Sequence, residues 1–360
     1  MATKKYNFYA GPAILPYEVL KKAQDELLDF NGIGLSVMEI SHRSKDFDAV
    51  IKGAEEKIRK ILGVPDNYYV LFLQGGASLQ FGMIPMNLLK SKDQQADYVH
   101  TGEWAKKAIK EAKLFGKVNI VASSEDKNFS YIPKNIKFSE NAVYAHITSN
   151  ETIGGIQFQT YPDSGNIPLV CDMSSDIFSR KINVSKFGLI YAGAQKNIGP
   201  SGVTLVIIRK DLVENSADGL TTMLSYKTHV KEPSLYNTPP CFGIYIIKLV
   251  MDWIEGLGGL SAIEARNEEK AKILYDFIDN SSLYKSVVEK ESRSKMNVVW
   301  RLSNEALEEK FIKEATAAGM IGLKGHRSIG GCRASLYNAM DVEGVKALVE
   351  FMKKFEIANK

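Results

Sequence analysis

Short β-rich runs alternate with amphipathic helical stretches along most of this chain, and that alternation narrows the possible folds more than any other feature. Pro16 to Phe30 reads as a helix, with proline in the first turn and Val19, Leu20, Ala23, Leu27 and Leu28 at helical spacing. Asp46 to Leu62 reads as a second, stopped by Gly63 and Pro65. A strand from Tyr68 to Leu73 runs into Gln74-Gly-Gly-Ala-Ser-Leu79 and a further apolar helix. A helix over 103–115 follows, then strands over 118–122, 142–147, 167–171, 188–192 and 203–208. The pattern predicts an α/β fold whose large domain has a mostly parallel sheet flanked by helices.

The apolar helix 241–254 and the Gly256-Leu-Gly-Gly259 stretch after it mark a boundary. A long charged helix over 260–280, a strand over 297–302 and helices over 305–318 and 342–355 predict a smaller C-terminal α+β domain. With 360 residues, 45% hydrophobic and 24% charged, the chain has room for both. No repeat period or low-complexity tract interrupts this organisation.

Charge excludes several function classes. A formal excess of +4, from 46 basic and 42 acidic residues spread along the chain, argues against a nucleic-acid partner. Cys171, Cys241 and Cys332 match neither a disulfide framework nor a zinc spacing, so no metal is expected and the expected compartment is a reducing cytosol. The chain has no signal-peptide core at its start and no apolar run of membrane-spanning length, so no membrane partner is expected.

One lysine stands apart. Lys196 lies at the polar, glycine-rich hinge between two apolar runs, and no acidic residue occurs between Phe187 and Ile208 to pair with it. Near buried surface its amine would lose hydration and become nucleophilic toward a carbonyl. A turn lysine whose ammonium reaches solvent is the alternative. Asp172 ends the apolar strand that precedes Met-Ser-Ser, where an open parallel sheet binds ligands, although a helix cap would explain it equally. Gly75-Gly-Ala-Ser78 is either a phosphate cup at a helix start or a plain β–α turn. Pyridoxal phosphate needs a lysine, an anion at its ring nitrogen and a phosphate cup, and the chain supplies candidates for all three.

Trp104 begins a helix after Tyr98-Val-His100 and could cover a flat cofactor ring or simply pack in the core. Thr152, in Ser149-Asn-Glu-Thr-Ile-Gly-Gly155, could hydrogen-bond a cofactor oxygen or cap a turn. The tripeptide His-Arg-Ser occurs twice, at His42-Arg43 and at His326-Arg327, and Arg333 follows the second. Three arginines and two histidines would suit a substrate with both a phosphate and a carboxylate; the alternative is ordinary ion pairs. His100, His146 and His229 have no metal-ligand spacing and read as structural.

Assembled, these residues resemble those of the phosphoserine aminotransferases, within the class V, fold-type I pyridoxal-phosphate-dependent transferases. The likeness rests on Asn7-Phe-Tyr-Ala-Gly-Pro-Ala13, Ile40-Ser-His-Arg-Ser44, Ser149-Asn-Glu-Thr-Ile153, Tyr191-Ala-Gly-Ala-Gln-Lys-Asn-Ile-Gly-Pro200, Tyr236-Asn-Thr-Pro-Pro240 and Arg333-Ala-Ser-Leu-Tyr-Asn338. It implies residues 1–15 as an N-terminal segment packing with the small domain, 16–256 as the cofactor-binding domain and 257–360 as the small domain. It also implies that Lys196 carries pyridoxal 5'-phosphate as an imine and that Asp172 pairs with the pyridine nitrogen. Trp104 would stack on the ring, and Thr152 would bind the phenolic oxygen. Ala77, Ser78 and Gln195 would hold the phosphate, joined by Asn237 and Thr238 from the second subunit of a homodimer with shared active sites. Arg333 would take the substrate carboxylate. His326 and Arg327, with His42 and Arg43 of the partner chain, would take its phosphate.

The implied reaction is reversible transamination between L-glutamate and 3-phosphohydroxypyruvate, giving 2-oxoglutarate and O-phospho-L-serine in serine biosynthesis. 4-Phosphohydroxy-L-threonine, a substrate of vitamin B6 synthesis, fits the same description, and these residues do not separate the two. The chain departs from some family members in having Ser78 where they carry arginine and Ala10 where they carry serine. A desulfurase of the same fold, using Cys332, and a non-catalytic module that keeps the cofactor fold are the rival readings.

Overall fold

The computed structural model describes residues 5–359. Its elements in chain order are β1 (Tyr6–Asn7), α1 (Tyr17–Asp25), α2 (Lys45–Leu62), β2 (Tyr68–Leu73), α3 (Gly76–Leu88), β3 (Gln95–His100), α4 (Glu103–Ala112), β4 (Lys117–Ser123) and β5 (Ala142–Thr148). Then come β6 (Asn150–Glu151), β7 (Ile156–Gln157), β8 (Leu169–Asp172), β9 (Leu189–Gly193), β10 (Thr204–Arg209), α5 (Lys210–Glu214), α6 (Tyr226–Lys231) and α7 (Cys241–Gly256). The remainder is α8 (Leu260–Asn280), β11 (Lys285–Ser286), β12 (Asn297–Arg301), α9 (Glu305–Ala317), β13 (Met320–Ile321), β14 (Cys332–Ser335) and α10 (Val342–Ala358).

A seven-stranded sheet in the order β2-β10-β9-β8-β5-β3-β4 organises the first part of the chain. All its neighbours run parallel except β10, which is antiparallel to both β2 and β9. The carboxyl ends of β2, β9, β8, β5 and β3 therefore lie along one edge, which is where such sheets bind ligands. Alternate residues of one strand feed opposite faces. Leu205 and Ile207 join a core with α2 and α7, whereas Val206 and Ile208 join one with α3 and α4. A strand covered on both faces reads as a nearly continuous apolar run, as 203–208 does apart from Thr204.

Helix α2 shows how local sequence sets an element. The Ser44 hydroxyl accepts the Phe47 amide at 3.2 Å, and Gly63 ends the helix in the left-handed region. Phe47, Val50, Ile51, Ala54, Ile58 and Leu62 make its buried stripe.

The first helix departs from expectation. It ends at Asp25 rather than Phe30, and Asn31 has a φ of 52°. Glu26 is drawn inward to the Tyr245 hydroxyl and to Lys22, and Leu28 points to solvent. Helical spacing of Leu27 and Leu28 was thus not a sign of core burial.

The C-terminal part has its own core, built from α8, α9, α10, β12 and β14, with Phe8 from the N-terminal segment inserted. β1 pairs in parallel with β13, and the Tyr337 hydroxyl donates to the Ala10 carbonyl at 2.7 Å. β14, which carries Arg333, has no sequence signature; it is a four-residue strand paired antiparallel with β12.

Candidate active site

The turn that carries Lys196 is locked from several sides. The Ala194 amide donates to the Val203 carbonyl at 3.0 Å, and the Gly199 amide donates back to Ala194 at 2.9 Å. Asn197 accepts the Asn338 amide at 3.1 Å and donates to the Ser175 carbonyl at 3.3 Å. The Gln195 carbonyl accepts the Ala13 amide at 2.8 Å, so the N-terminal segment crosses the same turn. From this base the Lys196 side chain reaches across the carboxyl edge of the sheet. Its Nζ donates to Thr152 Oγ1 at 2.7 Å and lies 5.4 Å from the centre of the Trp104 ring.

Burial pushes the Lys196 amine down to about 8, although the nearby Asp172 and Glu151 carboxylates pull it the other way. It is therefore protonated below about pH 8 and neutral above, where an ordinary lysine titrates at 10.5. In the ligand-free protein, acylation of Lys196 followed by peptide mass spectrometry is expected to rise with pH and reach half its maximum near 8. A midpoint above 10 would refute this environment.

Asp172 closes β8 and is buried; its Oδ1 accepts the Ser174 amide at 2.9 Å. Burial raises its carboxyl above the usual range, against the pull of Ser174 and Lys196. Thr152 sits in the turn between β6 and β7, and its carbonyl accepts Nη1 of the buried Arg333 at 3.1 Å. Arg333 Nε and Trp104 Nε1 are both buried with no hydrogen-bond partner among the described residues.

At the end of β2, Gly75 and Gly76 take φ values of 86° and 66°, which favour glycine, and α3 starts with no side-chain cap. The first-turn amides around Ala77 and Ser78 are thus available to an anion. Gln195, next to Lys196 in the chain, is half-buried and makes no side-chain hydrogen bond among the described residues.

His326 Nδ1 is 2.7 Å from the Ser328 hydroxyl, on a tight loop that ends at β14. Burial lowers its titration, followed by Arg333, Arg327 and Lys107, while Glu103 opposes them. One chain therefore gathers Lys196, Asp172, Thr152, Trp104, Arg333 and His326 around the edge of the sheet, while Arg327, next to His326 in the chain, is exposed. His42 and Arg43 sit elsewhere, just ahead of α2, and Asn237 and Thr238 lie on the loop before α7. Among the described residues, none of these four makes a side-chain hydrogen bond or ion pair with that group.

Two neighbours escaped the sequence reading. Lys107 Nζ lies 4.3 Å from the Trp104 ring centre, one helical turn along α4. Glu151 is buried and accepts the amides of Trp104 and Ala105 at 3.2 and 2.9 Å. Helical spacing could have flagged Lys107. Nothing local could have flagged Glu151, because its partners lie in a different β–α unit.

Cys332 is fully buried within β14 and burial pushes its thiol up, which does not suit a mobile sulfur nucleophile.

Comparison with known proteins gives a consistent picture. The aminotransferase class-V family model matches residues 5–348. A phosphoserine aminotransferase from Desulfosudis oleivorans is 56% identical over 361 residues, covering all of both chains. The solved phosphoserine aminotransferase from Bacillus circulans subsp. alkalophilus superimposes with a TM-score of 0.97 at 53% identity, over 99% of each chain. A phosphoserine aminotransferase from Trichomonas vaginalis, solved with pyridoxal phosphate bound, gives 0.92 at 41% identity, covering 97% of this chain and all of that one.

Proposed function

The chain belongs to the aminotransferase class-V family, and we propose that it transfers an amino group reversibly between L-glutamate and 3-phosphohydroxypyruvate, giving 2-oxoglutarate and O-phospho-L-serine, with pyridoxal 5'-phosphate as cofactor. The observation that carries this reading is a lysine amine lowered to about 8, hydrogen-bonded to Thr152 and facing Trp104 within Coulombic reach of Asp172.

The donor set fits that cofactor. Lys196 would hold its aldehyde carbon and the buried Asp172 its ring nitrogen. Trp104 would cover the ring and Thr152 would meet the phenolic oxygen. The uncapped start of α3, at Ala77 and Ser78, suits a phosphate, which Gln195 would also help to hold. Pyridoxal phosphate bound there supplies an electron sink for the pair left when the substrate α-carbon loses its proton.

The chain's own residues do the remaining work. Lys196 Nζ, once free, takes the proton from the substrate Cα. An amine lowered to about 8 keeps a sizeable neutral fraction near neutral pH, as a base requires. Asp172 stabilises positive charge at the ring nitrogen. Arg333 offers its guanidinium to the α-carboxylate, and its buried, unpartnered Nε is ready for that contact. His326 and Arg327 would face the substrate phosphate.

His42, Arg43, Asn237 and Thr238 serve the site only if a second copy presents them, so the reading includes a homodimer with shared sites. Tyr17 at 75% exposure, Leu28 at 86% and Met38 at 64% leave apolar surface on α1 and the segment after it that such a copy would cover. Sedimentation is expected to give twice the chain mass, and a monomer active at wild-type rate would overturn the shared site. Three free thiols suit a cytoplasmic setting, and no helix among the described residues is long and apolar enough to cross a membrane.

The decisive assay combines O-phosphoserine with 2-oxoglutarate and measures glutamate. Unphosphorylated serine is expected to react at least about 100-fold less efficiently, the scale of losing a charge-assisted contact. Equal rates would remove His42, Arg43, His326 and Arg327 from substrate binding. Arg333→Gln is expected to raise KM for glutamate about 100-fold, since it leaves a carboxylate unpaired in a closed site. An unchanged KM would place that carboxylate elsewhere.

A further inference from the structure

Helix α4 starts at Glu103 after Gly102, whose cap position offers no side chain, yet it carries Trp104 in its first turn. The cap comes from Glu151, on the far side of the β5 strand end. Its Oε1 accepts the Ala105 amide at 2.9 Å and its Oε2 accepts the Trp104 amide at 3.2 Å. Gly102 makes room for it: a Cβ there would lie 2.6 Å from Glu151 Cδ and 2.7 Å from Oε2. The carboxyl is only 1% exposed.

A local Ser or Asp cap would stabilise α4 without burying a carboxyl group, which is costly. Burial pushes Glu151 up to about 7 even though two amides and Lys196 favour its charged form. What this arrangement adds over a local cap is position. The next residue, Thr152, contacts Lys196 through its hydroxyl and Arg333 through its carbonyl. One dipeptide thus meets the lysine, the arginine and the helix that carries the aromatic ring.

We propose that Glu151 is a positioning residue for transamination, pinning the first turn of α4 so that the Trp104 indole keeps its place against the Lys196 amine. The proposal rests on the cofactor reading of the site given above.

Glu151→Gln tests it, because glutamine keeps the size but turns one acceptor into a donor facing an amide N–H. The dissociation constant of pyridoxal phosphate is measured by equilibrium dialysis for wild type, Glu151→Gln, Trp104→Phe and the double variant. Glu151→Gln is expected to weaken binding by about tenfold or more, as for a lost buried acceptor. In the Trp104→Phe background the same change is expected to add less than about twofold, because the two penalties share one cause. Unchanged binding in Glu151→Gln, or fully additive penalties, would overturn the proposal.

Gly102→Ala presses on the same carboxylate from the other side and serves if the glutamine variant folds poorly. It is expected to weaken binding in the same direction, and wild-type affinity there would count as refutation. A ligand-free measurement separates the two readings. Subtracting the emission of Trp104→Phe isolates this indole, whose quenching by acrylamide is expected to rise in both variants. If wild type fails to bind pyridoxal phosphate, the cofactor reading falls; unaltered quenching then also removes the positioning role, whereas increased quenching retains it.

Discussion

Formation of glutamate from O-phosphoserine and 2-oxoglutarate is expected to fall about 10⁴-fold in Lys196→Ala, the upper range for removing a positioned general base. The site contains no ready substitute. Lys107 is exposed on α4, although it too approaches the Trp104 ring at 4.3 Å. Thr152, the hydrogen-bond partner of Lys196, cannot act as a base near neutral pH. A small primary amine added to the assay is expected to restore part of the rate, because the missing methylenes leave space for one. A variant that turns over at the wild-type rate would sink the mechanism altogether.

Asp172→Asn is the second large effect. Breaking a buried charge pair by neutralising one partner costs about 3–5 kcal/mol, which lowers kcat by about 10² to 10⁴-fold if felt in the transition state. Asparagine preserves the shape and can still accept the Ser174 amide that now bonds Oδ1 at 2.9 Å. Stability should respond in the opposite direction from activity. Burial raises the Asp172 carboxyl above its unfolded value, so its charged form is disfavoured in the folded, ligand-free protein. Its contribution is present at low pH and lost as pH rises through its raised folded value. The melting temperature of ligand-free Asp172→Asn at neutral pH is therefore expected to equal or exceed that of wild type. A wild-type kcat would remove Asp172 from the ring-nitrogen role; a lower melting temperature would mean that its charge stabilises the fold.

Much of the framework was legible because its signals are local. Ser44 and Gly63 bound α2 through contacts within a few residues, and its buried stripe repeats at helical spacing. The apolar runs 142–147, 167–171, 188–192 and 203–208 correspond to strands buried on both faces. Their mostly parallel arrangement was legible too, but the reversed direction of the last was not. β10 runs against its neighbours because a tight turn at Lys196 returns the chain, and an apolar run reads the same either way. The end of α1 was misread for a related reason: Leu27 and Leu28 keep helical spacing, but Glu26 is held by Tyr245, more than two hundred residues away.

The site divides along the same line. From residue types and their spacing alone came the candidates Lys196, Asp172, Trp104, Thr152 and the arginines, because each group's chemistry is carried by its own side chain. Only the tertiary structure decided which of them share a space. It brought Lys196 to Thr152 and Arg333 to the same residue's carbonyl, across separations of 44 and 181 residues. It also lowered the Lys196 amine, since desolvation belongs to the surroundings and not to the residue. Glu151 marks the limit of what the sequence could tell: its partners at Trp104 and Ala105 become neighbours only when the parallel pairing of β3 with β5 sets their carboxyl ends side by side.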